Sequence, residues 1–322
     1  MILAAESQDL IKVDIRVEEE ARLLQDVAKY ICNTLTSEIS TLWNAQRSAV
    51  VVYATKNILF PYAAQWLRER LSQQAQDYLR FQIQHSMEKK ISIGPYQSGR
   101  EDQYTAAVVL GISWGEGQRS SPTVLTITNE AGKLVDFMTI DLSGINIEPK
   151  ESDKLREFID GYSPHVAVIG GFAPNTKILL KKISEHLPSS VPLEFVDDEF
   201  ARLFMNSKHA SSELDSHTPL VRYLVGLSRT IQDPLAAYAS LVNQNEDFRH
   251  IRLHPNQHLV PEEDFKAAIE RAFINLVNDV GVDINAIVEN PHQSHILQFV
   301  SGLGPRKAQA ILSKIIRSVK PT

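Results

Sequence analysis

The sequence has little cysteine and no long apolar run. Cys32 is the only cysteine among 322 residues. A single cysteine forms neither an intrachain disulfide nor a cysteine-based zinc site, so a disulfide-stabilised secreted domain is excluded and a reducing compartment is favoured. The apolar stretches fall far short of the roughly 20 residues that a membrane-spanning helix needs. The sequence therefore predicts no membrane partner.

An excess of basic charge is also missing. The formal net charge is −6, which argues against a protein that coats nucleic acid with its whole surface but leaves room for a local basic patch. With 43% hydrophobic and 22% charged residues, the composition is that of an ordinary globular protein.

The histidines do not follow a metal-binding pattern. His254 and His258 are separated by Pro255, which speaks against a shared helical face, and His292 and His295 stand three apart near a helix start. We therefore predict no metal ligands and no cofactor.

The centre of the sequence carries a strand pattern. Ala106 to Ile112 is a short apolar run rich in β-branched residues, which is typical of a strand buried on both faces. Asn129 to Lys133, with Gly132, predicts a hairpin between the next two strands. The predicted strands are 105–113, 124–128, 134–140, 166–169 and 193–196, with helices at 153–160 and 175–186. This order predicts a five-stranded mixed sheet of the ribonuclease H (RNase H)-like kind.

Helical patterns flank this α/β unit. Apolar residues at spacings of three and four predict helices at 18–42 and 61–87, and later at 261–279, 292–300 and 305–319. A short strand is predicted at 250–253. The fold class is therefore α/β plus all-α, in three domains: a helical region at 1–98, an RNase H-like domain at 99–245 and a helical region with a helix-hairpin-helix motif at 246–322.

The helix-hairpin-helix motif is the sharpest local signal. Gly302 and Gly304 allow a tight turn, and Pro305 fits the first position of the following helix. The N–H groups at that helix start, with Arg306 and Lys307 beside them, are suited to a nucleic-acid phosphate. We predict these two glycines and two cations as nucleic-acid-binding residues. A hairpin that only packs, or that contacts another protein, remains the alternative.

The RNase H-like unit lacks the carboxylates of a nuclease at two expected positions. Two-metal hydrolysis needs several carboxylates around the ions. The first strand ends on Ser113, and the fourth is followed by Gly170, Gly171 and Phe172. We predict no catalytic residues and no enzyme activity. The acidic residues that remain as candidates are Glu116, Asp197, Asp198, Asp215 and Asp233.

Four stretches, in this order, resemble the Tex and suppressor-of-Ty-six family of transcription elongation factors. They are Val109 to Gly115, Gln232-Asp233-Pro234-Leu235, Val280-Gly281-Val282-Asp283-Ile284-Asn285 and Val300 to Lys307. Bacterial members have an Asp on the first strand, whereas Ser113-Trp114 stands here, which places the chain nearer the eukaryotic branch. In that branch the RNase H-like (YqgF) domain is held to be inactive.

The resemblance implies a nuclear core scaffold that works with RNA polymerase II elongation complexes and chaperones histones on chromatin. It also implies further domains outside these residues, so the chain would be a core fragment. The family has paired hairpins and one lies here, so weak contact with a DNA or RNA backbone is expected. Two other functions remain open: a structure-specific nuclease of the junction-resolvase type, and a bacterial Tex-like RNA-binding regulator.

Overall fold

The computed structural model describes most of the chain. The described residues are 2–35, 37–96, 107–113, 123–141, 149–171, 176, 180–181, 183–243 and 246–319. Contacts divide the chain into two compact units, Met1–Leu79 and Arg80–Thr322. The domain boundaries at 98 and 245 remain predictions.

The first unit is helical. Its elements are α1 (Ile2–Ser7), α2 (Glu20–Ile31), α3 (Glu38–Ala54), a π-helical turn (Thr55–Leu59) and the first part of α4 (Phe60–Ile91). The single helix predicted at 18–42 is wrong, because the chain breaks after Ile31. Ser37 caps α3 by accepting from the Ser40 N–H, and Asn44 bonds the backbone of Asn33 on both its N–H and its C=O. These polar bonds compete with helix continuation at the break. Leu35, Ile39 and Leu42, whose spacings of four and three contributed to that prediction, are exposed.

The second unit is built on a five-stranded mixed sheet. The strands are β1 (Val109–Ser113), β2 (Thr123–Thr128), β3 (Leu134–Ile140), β4 (Val166–Gly170) and β5 (Leu193–Val196), in the spatial order β3-β2-β1-β4-β5. β1 pairs antiparallel with β2 and parallel with β4, and β4 pairs parallel with β5. The predicted RNase H-like fold class is confirmed.

The β2–β3 hairpin closes where the sequence predicts it. The Asn129 N–H donates to the Lys133 carbonyl at 2.9 Å, and Gly132 takes a φ of +73°. The Asn129 side chain accepts from the N–H groups of Ala131 and Lys133. An asparagine that satisfies the turn backbone and a glycine in the left-handed region together specify this turn.

Helices cover both faces of the sheet. On one face α5 (Pro149–Tyr162) packs Leu155 and Ile159 against Leu110 and Ile112 of β1. On the other, α6 (Glu199–Met205) and α8 (Pro219–Gln232) pack against Val109 and the rest of that sheet face. A strand buried on both faces needs apolar residues at successive positions, which explains the unbroken apolar run of β1.

Short helical elements complete the second unit. They are α7 (Lys208–Glu213), α9 (Pro234–Ala239), 3₁₀ segments at Asp247–His250 and Gln257–Leu259, α10 (Glu262–Val280), α11 (Ile284–Glu289), a 3₁₀ segment at Pro291–Phe299 and α12 (Gly304–Val319). The strand predicted at 250–253 is wrong, because the 3₁₀ segment Asp247–His250 occupies its start and no strand follows. Gly281, with a φ of +84°, follows the last residue of α10.

Candidate functional site

The carboxyl ends of three parallel strands meet at one edge of the sheet. β1 ends on Ser113, β4 on Gly170 and β5 on Val196. In an open α/β sheet this edge is where ligands and catalytic groups are placed. The contents of the edge therefore decide whether the RNase H-like unit has the parts of a nuclease.

A tyrosine, an aspartate and an arginine form a closed network at this edge. The Tyr223 hydroxyl donates to Asp198 Oδ2 at 3.0 Å, and Arg202 Nε donates to the same oxygen at 2.8 Å. Burial, and then the charge of Asp198, raises the pKa of Tyr223, so the phenol stays a donor. The hydrogen bond to Asp198 raises the pKa of Arg202. The largely buried Asp198 carboxylate is thus paired with Arg202, whose side chain is itself exposed.

Gly170 leaves no room for a carboxylate at the end of β4. A Cβ atom built there would lie 2.2 Å from the Tyr223 hydroxyl oxygen, 2.9 Å from Asp198 Cβ and 3.0 Å from Leu227 Cδ1. The first two distances are too short for any real Cβ contact. A residue with a side chain at position 170 would therefore require the Tyr223 hydroxyl or its surroundings to move.

The other candidate carboxylates have structural roles or lie elsewhere. Asp197 contacts Lys90 Nζ at 3.3 Å and caps the Glu199 N–H at 3.0 Å. Asp233 Oδ1 accepts from the Ala236 N–H at 2.9 Å as the N-cap of α9, and burial raises its pKa. Asp215 lies in an exposed turn after α7. Glu116 lies outside the described residues. Among the residues that the structure does describe, no group of three or more His, Cys, Asp or Glu is placed to hold a metal ion.

The predicted helix-hairpin-helix turn lies between the 3₁₀ segment Pro291–Phe299 and α12. Gly302 and Gly304 take φ values of +84° and +62°, which side-chain-bearing residues rarely adopt. The Leu303 N–H donates to the Val300 carbonyl at 3.0 Å. The two glycines therefore have the backbone role that the sequence predicts for them.

Asn278, on α10, fixes this turn and was missed by sequence reasoning. Its Nδ2 donates to the Phe299 carbonyl at 3.0 Å, and its Oδ1 accepts from the Ser301 N–H at 2.9 Å. The Asn278 amide thus bonds the backbone of Phe299 and of Ser301, directly before the two glycines of the turn. A lone asparagine near a helix end carries no sequence signal for such a contact.

The two predicted cations differ in role. Lys307 Nζ donates to the Gly302 carbonyl at 3.0 Å and so helps to close the turn, whereas the Arg306 side chain is exposed. Arg317 lies about three helical turns from Arg306 on the same side of α12, and Lys314 is exposed about 80° round the helix axis from Arg306. The opposite side of the helix packs inward through Ala308 and Leu312. α12 therefore presents a basic, exposed side that begins at its N-terminus.

A half-buried cluster joins the 3₁₀ segment before the turn to the sheet unit. We call it the histidine cluster: His209 and Glu213 of α7, Arg229 of α8, and His292 and His295 of the 3₁₀ segment. The His209 and His295 rings meet edge to face with centroids 4.8 Å apart, and His209 Nε2 lies 3.6 Å from Glu213 Oε2. Arg229 pairs with Glu213 and donates from Nε to the Gly132 carbonyl at 2.9 Å.

Burial keeps these histidines neutral. It lowers the pKa of His292 to about 3 and that of His295 to about 4, with the charges of Arg229 and His209 respectively acting in the same direction. Burial also lowers the pKa of His209. The sequence pattern, which placed His292 and His295 near a helix start, did not reveal that His209 joins them.

Two comparisons with protein families match consecutive parts of this architecture. Residues 103–242 match the YqgF family described as Holliday-junction resolvase-like of SPT6, and residues 246–321 match the family described as helix-hairpin-helix motif. The fold and the turn therefore define a protein with an RNase H-like YqgF domain of the SPT6 kind followed by a helix-hairpin-helix domain.

Curated relatives match nearly the whole chain. Transcription elongation factor SPT6 of Drosophila melanogaster is 30% identical over 302 residues, which cover 86% of this chain and 16% of that protein. The Schizosaccharomyces pombe factor is 29% identical over 321 residues (98% and 23%), and the Saccharomyces cerevisiae factor is 27% identical over 333 residues (99% and 23%). The chain belongs to this family of transcription elongation factors, and it spans about a sixth to a quarter of the length of these relatives. None of the helices in the described part of the chain has the length and apolar character to cross a membrane.

Proposed function

We propose that this chain is a non-catalytic core scaffold of a nuclear transcription elongation factor, acting with RNA polymerase II and histones on chromatin. In this proposal the RNase H-like domain is a structural platform and the helix-hairpin-helix contacts a nucleic-acid backbone. The single observation that carries the proposal is the packing at Gly170, where an added Cβ atom would lie 2.2 Å from the Tyr223 hydroxyl oxygen. A metal-binding carboxylate does not fit at that position beside Tyr223.

The chemistry of the sheet edge supports the absence of catalysis. Ser113 offers a hydroxyl, which is a poor Mg²⁺ ligand without carboxylates beside it. The Asp198 carboxylate already accepts from Tyr223 and Arg202. One compensated carboxylate does not hold two divalent ions, which two-metal phosphodiester hydrolysis requires.

The geometry of the hairpin supports contact with phosphates. The first N–H groups of α12 have no acceptor within the helix, and the helix dipole favours an anion in front of them. Arg306 and Arg317 extend the positive potential along the exposed side of α12. Such contacts read the backbone and its shape rather than base sequence.

Family membership supports the proposed partners and compartment. The relatives are named as transcription elongation factors, and all three are eukaryotic proteins. The proposed contacts with polymerase and histones rest on the resemblance of the four sequence stretches to that family.

A pull-down that offers histone tetramers and RNA separates this function from that of an RNA-binding regulator. The proposal expects tetramer capture over RNA, and the reverse preference would contradict it.

The nucleic-acid contact is testable by fluorescence anisotropy of a labelled DNA duplex, titrated in Mg²⁺ at low and physiological salt. The variant Arg306→Glu/Arg317→Glu reverses the exposed side of α12 and leaves Lys307 to close the turn. We expect wild type to bind in a salt-sensitive manner. The variant should bind at least about tenfold more weakly, with a salt slope smaller by about 2.

Lys150→Glu/Lys181→Glu is the matched control, because both lysines are exposed and the change in net charge is the same. This control should bind as wild type does. Equal losses of DNA binding in both variants would mean that binding depends on the net charge of the protein and not on α12. The end products are run on a gel: intact DNA supports a non-catalytic domain, and Mg²⁺-dependent cutting by a clean preparation would favour the nuclease alternative.

A further inference from the structure

A groove distinct from the sheet edge and from the hairpin turn runs between the end of α4, the start of α9 and the end of α10. Its deep part is a cavity of about 300 Å³, walled mostly by apolar side chains including Ile91, Leu235, Val282 and Ile296. A second cavity of about 600 Å³ shares Ser92 and Leu276 with the first. The two cavities are therefore adjacent, and we refer to them together as the acidic groove.

The acidic groove exposes apolar surface at its mouth. Val280 and Ile93 are 67% and 64% exposed, although both line the deep part of the groove. Apolar surface that surrounds a cavity of side-chain size is characteristic of a site that accepts an apolar anchor residue. The floor therefore suits a leucine- or isoleucine-sized side chain.

Carboxylates line the groove from end to end. Asp233 and Asp283 stand on the wall of the deep part, and Asp279 and Glu88 on the wall of the shallow part. Within the described parts of the chain, none of the ion pairs involves any of these four. Glu88 Oε1 accepts instead from the neutral amides of Gln84 and Asn275. Lys89 is the cation that faces them, with His85 beside it.

Two of the carboxylates are held in place by the backbone. Asp233 Oδ1 accepts from the Ala236 N–H at 2.9 Å, and Asp283 Oδ1 accepts from the Asn285 N–H at 2.8 Å. Each aspartate caps a helix with this oxygen. Two of the stretches that resemble the elongation-factor family, at 232–235 and 280–285, thus meet at the same groove.

We propose that the acidic groove binds a basic peptide segment of a partner protein, in which one apolar residue enters the deep cavity and flanking lysines or arginines face the carboxylates. Charge complementarity selects this occupant: an apolar floor with four carboxylates against one lysine attracts a basic amphipathic chain and repels phosphates. This inference goes beyond nucleic-acid contact, and it does not depend on the hairpin turn.

The test is anisotropy of a fluorescein-labelled peptide of alternating lysine and alanine with one central leucine. The groove variant is Asp233→Asn/Asp279→Asn/Asp283→Asn, which removes three charges and keeps a side-chain oxygen for both helix caps. We expect about tenfold weaker binding by this variant. The matched control, Asp153→Asn/Glu157→Gln/Asp160→Asn on α5, changes the net charge equally and should bind as wild type does.

Two further peptides separate the parts of the proposal. Replacing the central leucine by serine should weaken binding to wild type severalfold and have a smaller effect in Val280→Ser, which removes apolar surface at the mouth of the groove. Replacing the lysines by glutamates should abolish binding. No binding of the first peptide, equal losses in the groove and control variants, or undiminished binding of the glutamate peptide would overturn the assignment.

Discussion

The carboxyl edge of the sheet and the hairpin turn differ in whether their charged side chains bond to each other or are exposed to solvent. At the sheet edge, the Tyr223 hydroxyl and the Arg202 guanidinium both donate to Asp198, so donor and acceptor satisfy each other internally. At the turn, internal bonds fix the backbone, while Arg306 and the exposed side of α12 point to solvent. The acceptor at the sheet edge is therefore bonded within the fold, whereas the Arg306 side chain at the turn is exposed to solvent.

This difference separates what a fold can do from what a particular chain does with it. The RNase H-like sheet brings β1, β4 and β5 to a common edge, but chemistry depends on the side chains that stand there. At that edge the Tyr223 side chain packs against Gly170. In the proposed function, binding takes place at helix termini and grooves outside the sheet, as in a scaffold.

The largest effect is expected for Gly170→Asp, which introduces a carboxylate at the carboxyl edge of the sheet. The new Cβ collides with the Tyr223 hydroxyl, and a second acid is brought beside Asp198. We expect the free energy of unfolding to fall by about 4 kcal/mol. Urea unfolding measures the loss, and Gly161→Asp is the matched control, because Gly161 has open space around its Cβ direction.

A smaller substitution locates the collision. Gly170→Ala should cost less in Tyr223→Phe than in wild type, by about 1 kcal/mol, because the nearest atom to the new Cβ is the hydroxyl oxygen that phenylalanine lacks. Equal costs in the two backgrounds would mean that Tyr223 does not fill the edge. A stable, well-folded Gly170→Asp protein would mean that the edge is open to catalytic groups.

The attachment of the hairpin to the sheet unit is predicted to depend on pH. The pKa values of His292 and His295 in the folded chain, about 3 and about 4, lie below the ordinary value of 6.5, so the unfolded chain binds more protons in acid. Stability is complete above about pH 6.5 and falls as the pH is lowered towards 4. Between pH 7 and pH 5 we expect a loss of about 3 kcal/mol.

The variant His292→Gln/His295→Gln removes these titrating groups and should flatten the pH dependence of the unfolding free energy, at a lower stability near neutral pH. His258→Gln is the control, since that histidine is exposed. The other charged groups around the histidine cluster are Glu213, Arg229, Lys133 and Asp247. The pKa of Glu213 is also low in the folded chain, so its protonation adds to the loss only at more acidic pH. An unchanged slope in the double variant would refute the role of the cluster.

The sequence predicts much of the sheet unit because its signals are local. The apolar run of β1, the Asn129–Lys133 turn and the glycines at 302 and 304 each impose a backbone geometry through their own side chains or through the lack of one. Ser113 and Gly170 also lead to the prediction that the RNase H-like unit lacks a catalytic centre, and the absence of catalysis stays a prediction. The roles of Arg306 in binding and of the turn in contacting phosphate remain predictions.

The features that the sequence could not predict are produced by contacts between distant residues. His209 meets His295, Tyr223 meets Asp198, and Asn278 meets Ser301 only after the chain has folded. In the helical unit, periodicity predicts one helix at 18–42, but the Asn44 side chain bonds both the N–H and the C=O of Asn33, where the helix is interrupted. Side chains that bond to distant backbone override a regular apolar spacing.

The smallest effect is expected at the hairpin turn, when the Asn278 side chain that bonds its backbone is removed. Asn278→Ala removes the bridge between the Phe299 carbonyl and the Ser301 N–H, and we expect a loss of about 1 kcal/mol in the free energy of unfolding. Hydrogen exchange at the Ser301 amide should accelerate while exchange in β1 stays slow, because the opening is confined to the turn.

Asn275→Ala, one turn earlier on α10, is the control and should leave Ser301 exchange unchanged. DNA binding should weaken severalfold in the Asn278 variant alone, since a turn that is no longer held in place must be ordered on binding. Equal Ser301 protection in both variants would show that the turn is stabilised by its glycines and by Lys307 without Asn278.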